Sequence, residues 1–173
     1  MNHLAKSLSR VLAIQNFGSS GTKLLHALLD NHPNILTIPS LYMISFYTFW
    51  PEDIEREREK VIEEFCQEHE YWFDPKGYVP WGTHTMGPNK DETVYVERDV
   101  FNSNLHKVLE NKKNISRKSF FQALFVAYGV SYGRQLELTP DKYIMIYPYH
   151  TAINKTAVEL TKDFPDTFFI HCF

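Results

Sequence analysis

The chain has 173 residues, with 18 basic against 21 acidic side chains and a formal net charge of −3. That length supports one hydrophobic core and a single domain over 1–173, and the acidic balance gives no basic field for nucleic acid. Cys66 and Cys172 lie far apart without C-x-x-C spacing, which argues against a disulfide scaffold or a zinc site and suits a reducing cytoplasm. No apolar run reaches the roughly 18 residues of a membrane span. The short one that follows Lys6 and Arg10 reads better as a strand than as a signal peptide.

From Arg10 to Pro33 the sequence is RVLAIQNFGSSGTKLLHALLDNHP. Val11, Leu12, Ala13 and Ile14 form a continuous apolar run, as expected of a strand buried on both faces of a parallel sheet. Gly18 and Gly21 allow turn conformations that a side chain would block. From Thr22 onward Leu24, Leu25, Leu28 and Leu29 fall at helical spacing, with the helix expected to end at His32 before Pro33. His26 and His32 are read as helix-surface and helix-end residues. A strand, a glycine loop and a helix N-terminus in succession point unpaired N–H groups and a positive dipole end at one spot, which suits a phosphate or sulfate. The nucleotide-binding pattern G-x-x-x-x-G-K-[ST] is not met, because Asn16 replaces its first glycine and Thr22 its lysine, displacing the lysine to Lys23.

The middle of the chain reads as helical. Residues 53–70 carry alternating charge with Ile54, Val61, Ile62 and Phe65 on one stripe, an amphipathic surface helix after Pro51. An irregular insertion rich in Pro, Gly and aromatics occupies about residues 71–92. Trp72, Phe73 and Trp81 there either form a ligand-binding lid or staple the loop to the core. Ser116 caps a helix that carries Phe120, Phe121, Leu124, Phe125, Tyr128 and Tyr132 on a core-packing face. The sequons at Asn114 and Asn154 are read as chance matches.

From Lys142 the chain reads KYIMIYPYHTAINKTAVELTKDFPDTFFIHCF. A strand over Tyr143 to Tyr147 runs into Pro148 and His150. A helix follows with Ile153, Ala157, Leu160 and Phe164 on one face, and then an apolar strand reaches Phe173. A hydrophobic strand with no closing turn is an aggregation hazard, so the chain is read as the N-terminal part of a longer protein.

The run Ser19, Ser20, Gly21, Thr22, Lys23, Leu24, continued by Leu28, Leu29, Asp30, Asn31, His32 and Pro33, resembles the phosphosulfate-binding loop of the sulfotransferase superfamily. Residues 142–173 are similar to that family's later half-site, up to the point where relatives bind the donor's 3′-phosphate. The resemblance implies an α/β fold of three layers, P-loop NTPase-like, with parallel strands near 10–16, 35–38, 143–147 and 167–173. It implies a sulfotransferase that moves a sulfuryl group from 3′-phosphoadenosine 5′-phosphosulfate (PAPS) to a hydroxyl or amine of a small-molecule or glycan acceptor, with no metal.

By that resemblance Gly18, Ser19, Ser20, Gly21, Thr22 and Lys23 bind the donor. Many relatives carry a cation where this chain has Ser19, so Lys23 is the candidate for meeting charge on the leaving group. An acceptor hydroxyl also needs a base. His150 is the leading candidate, since it follows a strand at the end where open α/β sheets place ligands; Glu97 and His84 are further candidates. Two alternatives stay open. One is a kinase using the loop for ATP, although no acidic residue ends either late strand to hold Mg²⁺. The other is a degenerate, non-catalytic anion- or nucleotide-binding protein.

Overall fold

The computed structural model describes residues 1–16, 21–30, 32–39, 43–73, 88–89, 95–110, 112–139, 141–150 and 154–172, without the side chains of Lys23 and Asn154. Gly18, Ser19, Ser20, Trp81, His84 and Ile153 therefore lie outside the described residues, as does most of the aromatic insertion.

The elements run α1 (Asn2–Ser7), β1 (Val11–Asn16), α2 (Thr22–Leu29), β2 (Ile35–Leu36), α3 (Phe46–Phe49), β3 (Arg56–Glu57), α4 (Arg58–Glu68), a 3₁₀ turn (Glu70–Trp72), α5 (Arg98–Val108), β4 (Asn114–Ile115), α6 (Arg117–Ser131), β5 (Ile144–His150), α7 (Asn154–Asp163) and β6 (Phe168–Cys172). The fold is α/β: a four-stranded sheet in the order β2-β5-β1-β6, parallel throughout, is flanked by helices. β1 is central, with Val11 opposite Met145 of β5 and Leu12 opposite Phe168 of β6. A separate antiparallel pair joins β3 to β4.

Alternation along β1 divides the two faces. Leu12 and Ile14 meet Leu25 and Leu29 of α2 in a small cluster with Ile35 and Ile146. Val11 and Ala13 join the main core with α1, α3 to α7, Met145 and Tyr147. That core is aromatic. Phe121 sits at its middle, with ring centroids 5.0 Å from Phe46, 5.1 Å from Phe125, 5.2 Å from Phe164 and 5.4 Å from Tyr147. α6 is buried almost all round, as a helix with apolar residues on every side must be. The Ser116 hydroxyl accepts from the Ser119 N–H, the N-cap expected from the sequence. Trp72 is fully buried and Phe73 packs on the core, so these two staple the start of the insertion.

Four elements differ from their sequence reading. α2 stops at Leu29 rather than His32, because Asp30 is already extended. α4 begins at Arg58, since Arg56 and Glu57 pair with Asn114 and Ile115 instead, leaving Ile54 exposed ahead of the helix. β5 continues through Pro148 to His150. β2 pairs only with Ile144 and Met145, so at Pro148 β5 behaves as an edge strand, where a missing N–H is tolerated. Tyr132, placed on the core face by spacing, is the exposed C-cap of α6 and stacks on Tyr128.

A buried ion cluster locks the helices of the main core. Arg117, with no exposed surface, donates from Nε to Asp163 Oδ2 (2.8 Å), from Nη1 to Glu159 Oε2 (2.9 Å) and from Nη2 to Asp163 Oδ1 (3.2 Å). The carbonyls of Trp50 and Glu159 accept at 3.4 Å. The Lys162 ammonium, 2.7 Å from Glu159 Oε1, holds the Glu159 carboxyl below its usual range, with Arg117 adding to the effect. Arg117→Ala should cost about 3 to 5 kcal/mol, because Asp163 stays buried without its cation and Glu159 keeps only Lys162; urea denaturation would measure it, and a loss below about 1 kcal/mol, typical of an exposed pair, would show the cluster to be dispensable.

Candidate functional site

Because β1, β5 and β6 are parallel and in register, their C-terminal ends meet along one edge of the sheet. Asn16 stands opposite His150 and Cys172, and Gln15 opposite Tyr149 and His171. Pleating puts Asn16, His150 and Cys172 on the face that α2 covers and Gln15, Tyr149 and His171 on the other. The N-terminus of α2 arrives at the same edge, since it starts only six residues after β1 ends.

Gly21 caps α2 with φ 78° and ψ 5°, the left-handed conformation that costs an L-residue about 1 to 2 kcal/mol. Among the described residues a Cβ at Gly21 would meet nothing within 4 Å. The helix ladder starts with the Leu25 N–H donating to the Gly21 carbonyl at 3.1 Å. The N–H groups of Thr22, Lys23 and Leu24 therefore precede the first internal bond and make a donor set for an anion. Thr22 is buried and Lys23 lies in this first turn.

His150 is half-buried and is the last residue of β5 rather than a residue after the strand. His171 is exposed, and its Nδ1 is hydrogen-bonded to Gln15 Oε1. Sequence reading did not single this pair out. The signal was available in the alternation of β6, which turns His171 toward the same face as Gln15 once the register with β1 is known. Glu97, the N-cap residue of α5, lies outside this edge group. Among the described residues no group of three His, Cys, Asp or Glu could hold a metal ion, and no helix is long and apolar enough to cross a membrane.

Comparison with family models, with curated proteins and with solved structures gives no match to this chain.

α2 presents a different face from the one its leucines suggested. Leu24 and Leu28 are 66% and 73% exposed, while His26, read as a surface residue, is 6% exposed. The inward stripe is Thr22, Leu25, His26 and Leu29, because a helix of eight residues has only about two turns to set against the sheet. Burial lowers the pKa of His26; Asp30 and the Ile38 carbonyl oppose this in part. His69, stacked on Phe65 at 4.0 Å and bonded through Nδ1 to the Phe65 carbonyl at 3.0 Å, is pushed down to about 4 by burial. Both rings bind a proton less readily folded than unfolded, so stability is present above the ordinary histidine value and declines as pH falls through it. Unfolding midpoints in urea should therefore drop between about pH 7 and pH 5. His69→Gln should flatten that slope; an unchanged slope in this variant would remove His69 as its source.

Proposed function

We propose that the chain is a sulfotransferase, or part of one, with a P-loop-like site that takes PAPS as donor and a hydroxyl or amine of a small molecule or glycan as acceptor. The observation that carries this reading is Gly21, a left-handed cap that opens the N-terminus of α2 at the end of the central parallel strand, within the sequence Ser-Ser-Gly-Thr-Lys-Leu. The strand order supports it. The chain leaves β1 toward β2 on one side and leaves β5 toward β6 on the other, and open α/β sheets bind ligands where the connections diverge in this way.

PAPS, when bound, supplies the activated sulfuryl group and a bisphosphate leaving group. The first-turn N–H groups and the Thr22 hydroxyl hold the anion, aided by the dipole of α2. Lys23 offsets the charge that grows on the departing phosphate. A histidine at the sheet edge takes the acceptor's proton, and His150 is the one the sequence nominates. The strand ends beside β1 carry His150 and Cys172 rather than carboxylates, which favours a donor that needs no bridging Mg²⁺. Cys66 and Cys172 both have free thiols, which fits a cytoplasmic protein.

Calorimetry with adenosine 3′,5′-bisphosphate tests the reading. Binding should survive a chelator and should be lost in Gly21→Val, whose Cβ branches fill the anion's room and whose backbone resists the left-handed cap; equal affinity in this variant would exclude the loop. A second comparison separates the donor side from the acceptor side. Lys23→Ala should slow transfer and weaken donor binding, by about 2 to 4 kcal/mol in total, while His150→Ala should leave bisphosphate affinity unchanged. Equal losses of affinity in the two variants would put His150 in the donor site.

A further inference from the structure

We propose that a cationic cavity between α1 and the end of α5 binds a compact, multiply phosphorylated anion that carries no aromatic ring, such as a polyphosphate or a phosphorylated polyol. The cavity measures about 570 Å³, and its lining includes Asn2 and Lys6 of α1, Lys107 of α5, and Glu110 and Lys112 just beyond. Three lysines thus share it with one carboxylate, in a protein whose overall charge is negative. Among the described residues the lysines in ion pairs are Lys60, Lys142 and Lys162, so none of these three is paired. In the adjoining cavity Glu57, Glu59 and Glu110 balance Arg58, Lys112 and Lys113, which confines the excess positive charge to the first. α1 runs into the start of β1, whereas the candidate anion edge lies at its end. The two sites are therefore separate, and this inference does not depend on the donor reading.

Helix dipoles alone do not account for the cluster. Lys6 and Lys107 each sit in the last turn of a helix, where a cation is favourable, but Lys112 belongs to no helix. Its ammonium is held by Ser119 Oγ at 3.3 Å. The walls are fixed as well: Asn2 Nδ2 donates to the Glu110 carbonyl at 3.2 Å, Gln122 Nε2 donates to the Leu8 carbonyl at 2.6 Å, and Leu4, Ala5 and Leu8 are buried in the main core. Three like charges are therefore kept at one opening by packed elements, and their repulsion is relieved when an anion enters. The lining also sets the class of ligand. Lysine presents a compact point charge, where arginine would present a planar fork that selects geometry, so the cavity reads charge density. Among the described residues no Phe, Tyr or Trp lines either cavity, and a nucleobase would find no ring to stack on. The volume is that of a small-molecule site.

Titration of the whole chain with inorganic tripolyphosphate and with inositol hexakisphosphate, followed by calorimetry and by ¹⁵N spectra, tests the site. Both probes should saturate a single site at about 0.15 M salt, bind more weakly as salt rises, and move the amide signals of α1, the end of α5 and Lys112. Lys6 and Lys107 are exposed, so the fold tolerates their replacement. Lys6→Gln combined with Lys107→Gln should weaken binding about tenfold or more, while Lys107→Arg should keep most of it. ATP, followed through the same signals, should bind no more tightly than tripolyphosphate. Equal affinity in the doubly substituted protein, signal changes confined to the start of α2, or binding that vanishes at about 0.15 M salt overturns the site. ATP that binds clearly more tightly than tripolyphosphate at these signals overturns the class of ligand. Tripolyphosphate bound here in a protein that fails to bind adenosine 3′,5′-bisphosphate at α2 supports this site and overturns the donor reading instead.

Discussion

Arg117 is a full positive charge inside the protein, and the packing of three helices follows from how it is satisfied. A guanidinium has five N–H donors, and Asp163, Glu159 and the Trp50 carbonyl together supply five accepting contacts. Glu159 and Asp163 stand four residues apart, so one turn of α7 presents both carboxylates to the first residue of α6. The face of Tyr47 lies 5.0 Å from the guanidinium, and its hydroxyl donates to Asp163 at 3.2 Å, which adds α3 to the group. Sliding α7 along α6 by one turn would leave a buried charge without a partner, a far larger penalty than shifting one apolar contact. Since α7 delivers the chain to β6, the alignment of β6 against β1 is tied to this one cluster.

The two faces of the sheet are unequally supported. On one, a dense aromatic core spans α1 and α3 to α7. On the other, α2 contributes Leu25 and Leu29 to a small cluster and keeps Leu24 and Leu28 in solvent. Elements with few buried contacts open at lower free energy than the core beneath them. The helix whose N-terminus holds the proposed anion is thus the least anchored layer, resting on strands that are held from behind.

Much of the architecture was legible because its signals are local. The apolar run of β1, the Ser116 cap and the break before β6 each depend on a few neighbouring residues. What was hidden depended on partners distant in sequence. Arg117, Glu159 and Asp163 look like surface residues by type, and only the packing of α6 on α7 explains their burial. His26 reads as surface polar among four leucines, yet the turn of α2 at Gly21 directs Thr22, Leu25, His26 and Leu29 inward. Pro148 ends a strand by propensity, but the shortness of β2 lets β5 run on to His150. Of the proposed site, Gly21, Thr22 and Lys23 were nominated by their place between a strand and a helix together with the family resemblance, whereas the pairing of His171 with Gln15 needed the register between β1 and β6.

The strand order also dictates when the sheet can form. β1 is made first but can pair only with β5 and β6, which the ribosome supplies last. The helical segment from α4 to α6 has many partners close in sequence, including the short β3 to β4 ladder and the packing of α5 on α6, so it can gather its aromatic core while β1 still waits. Folding should therefore be limited by closing this long loop. During that interval the apolar run from Val11 to Ile14 is an open strand, and a nascent chain stalled before residue 144 would be a natural client for chaperones that shield hydrophobic segments.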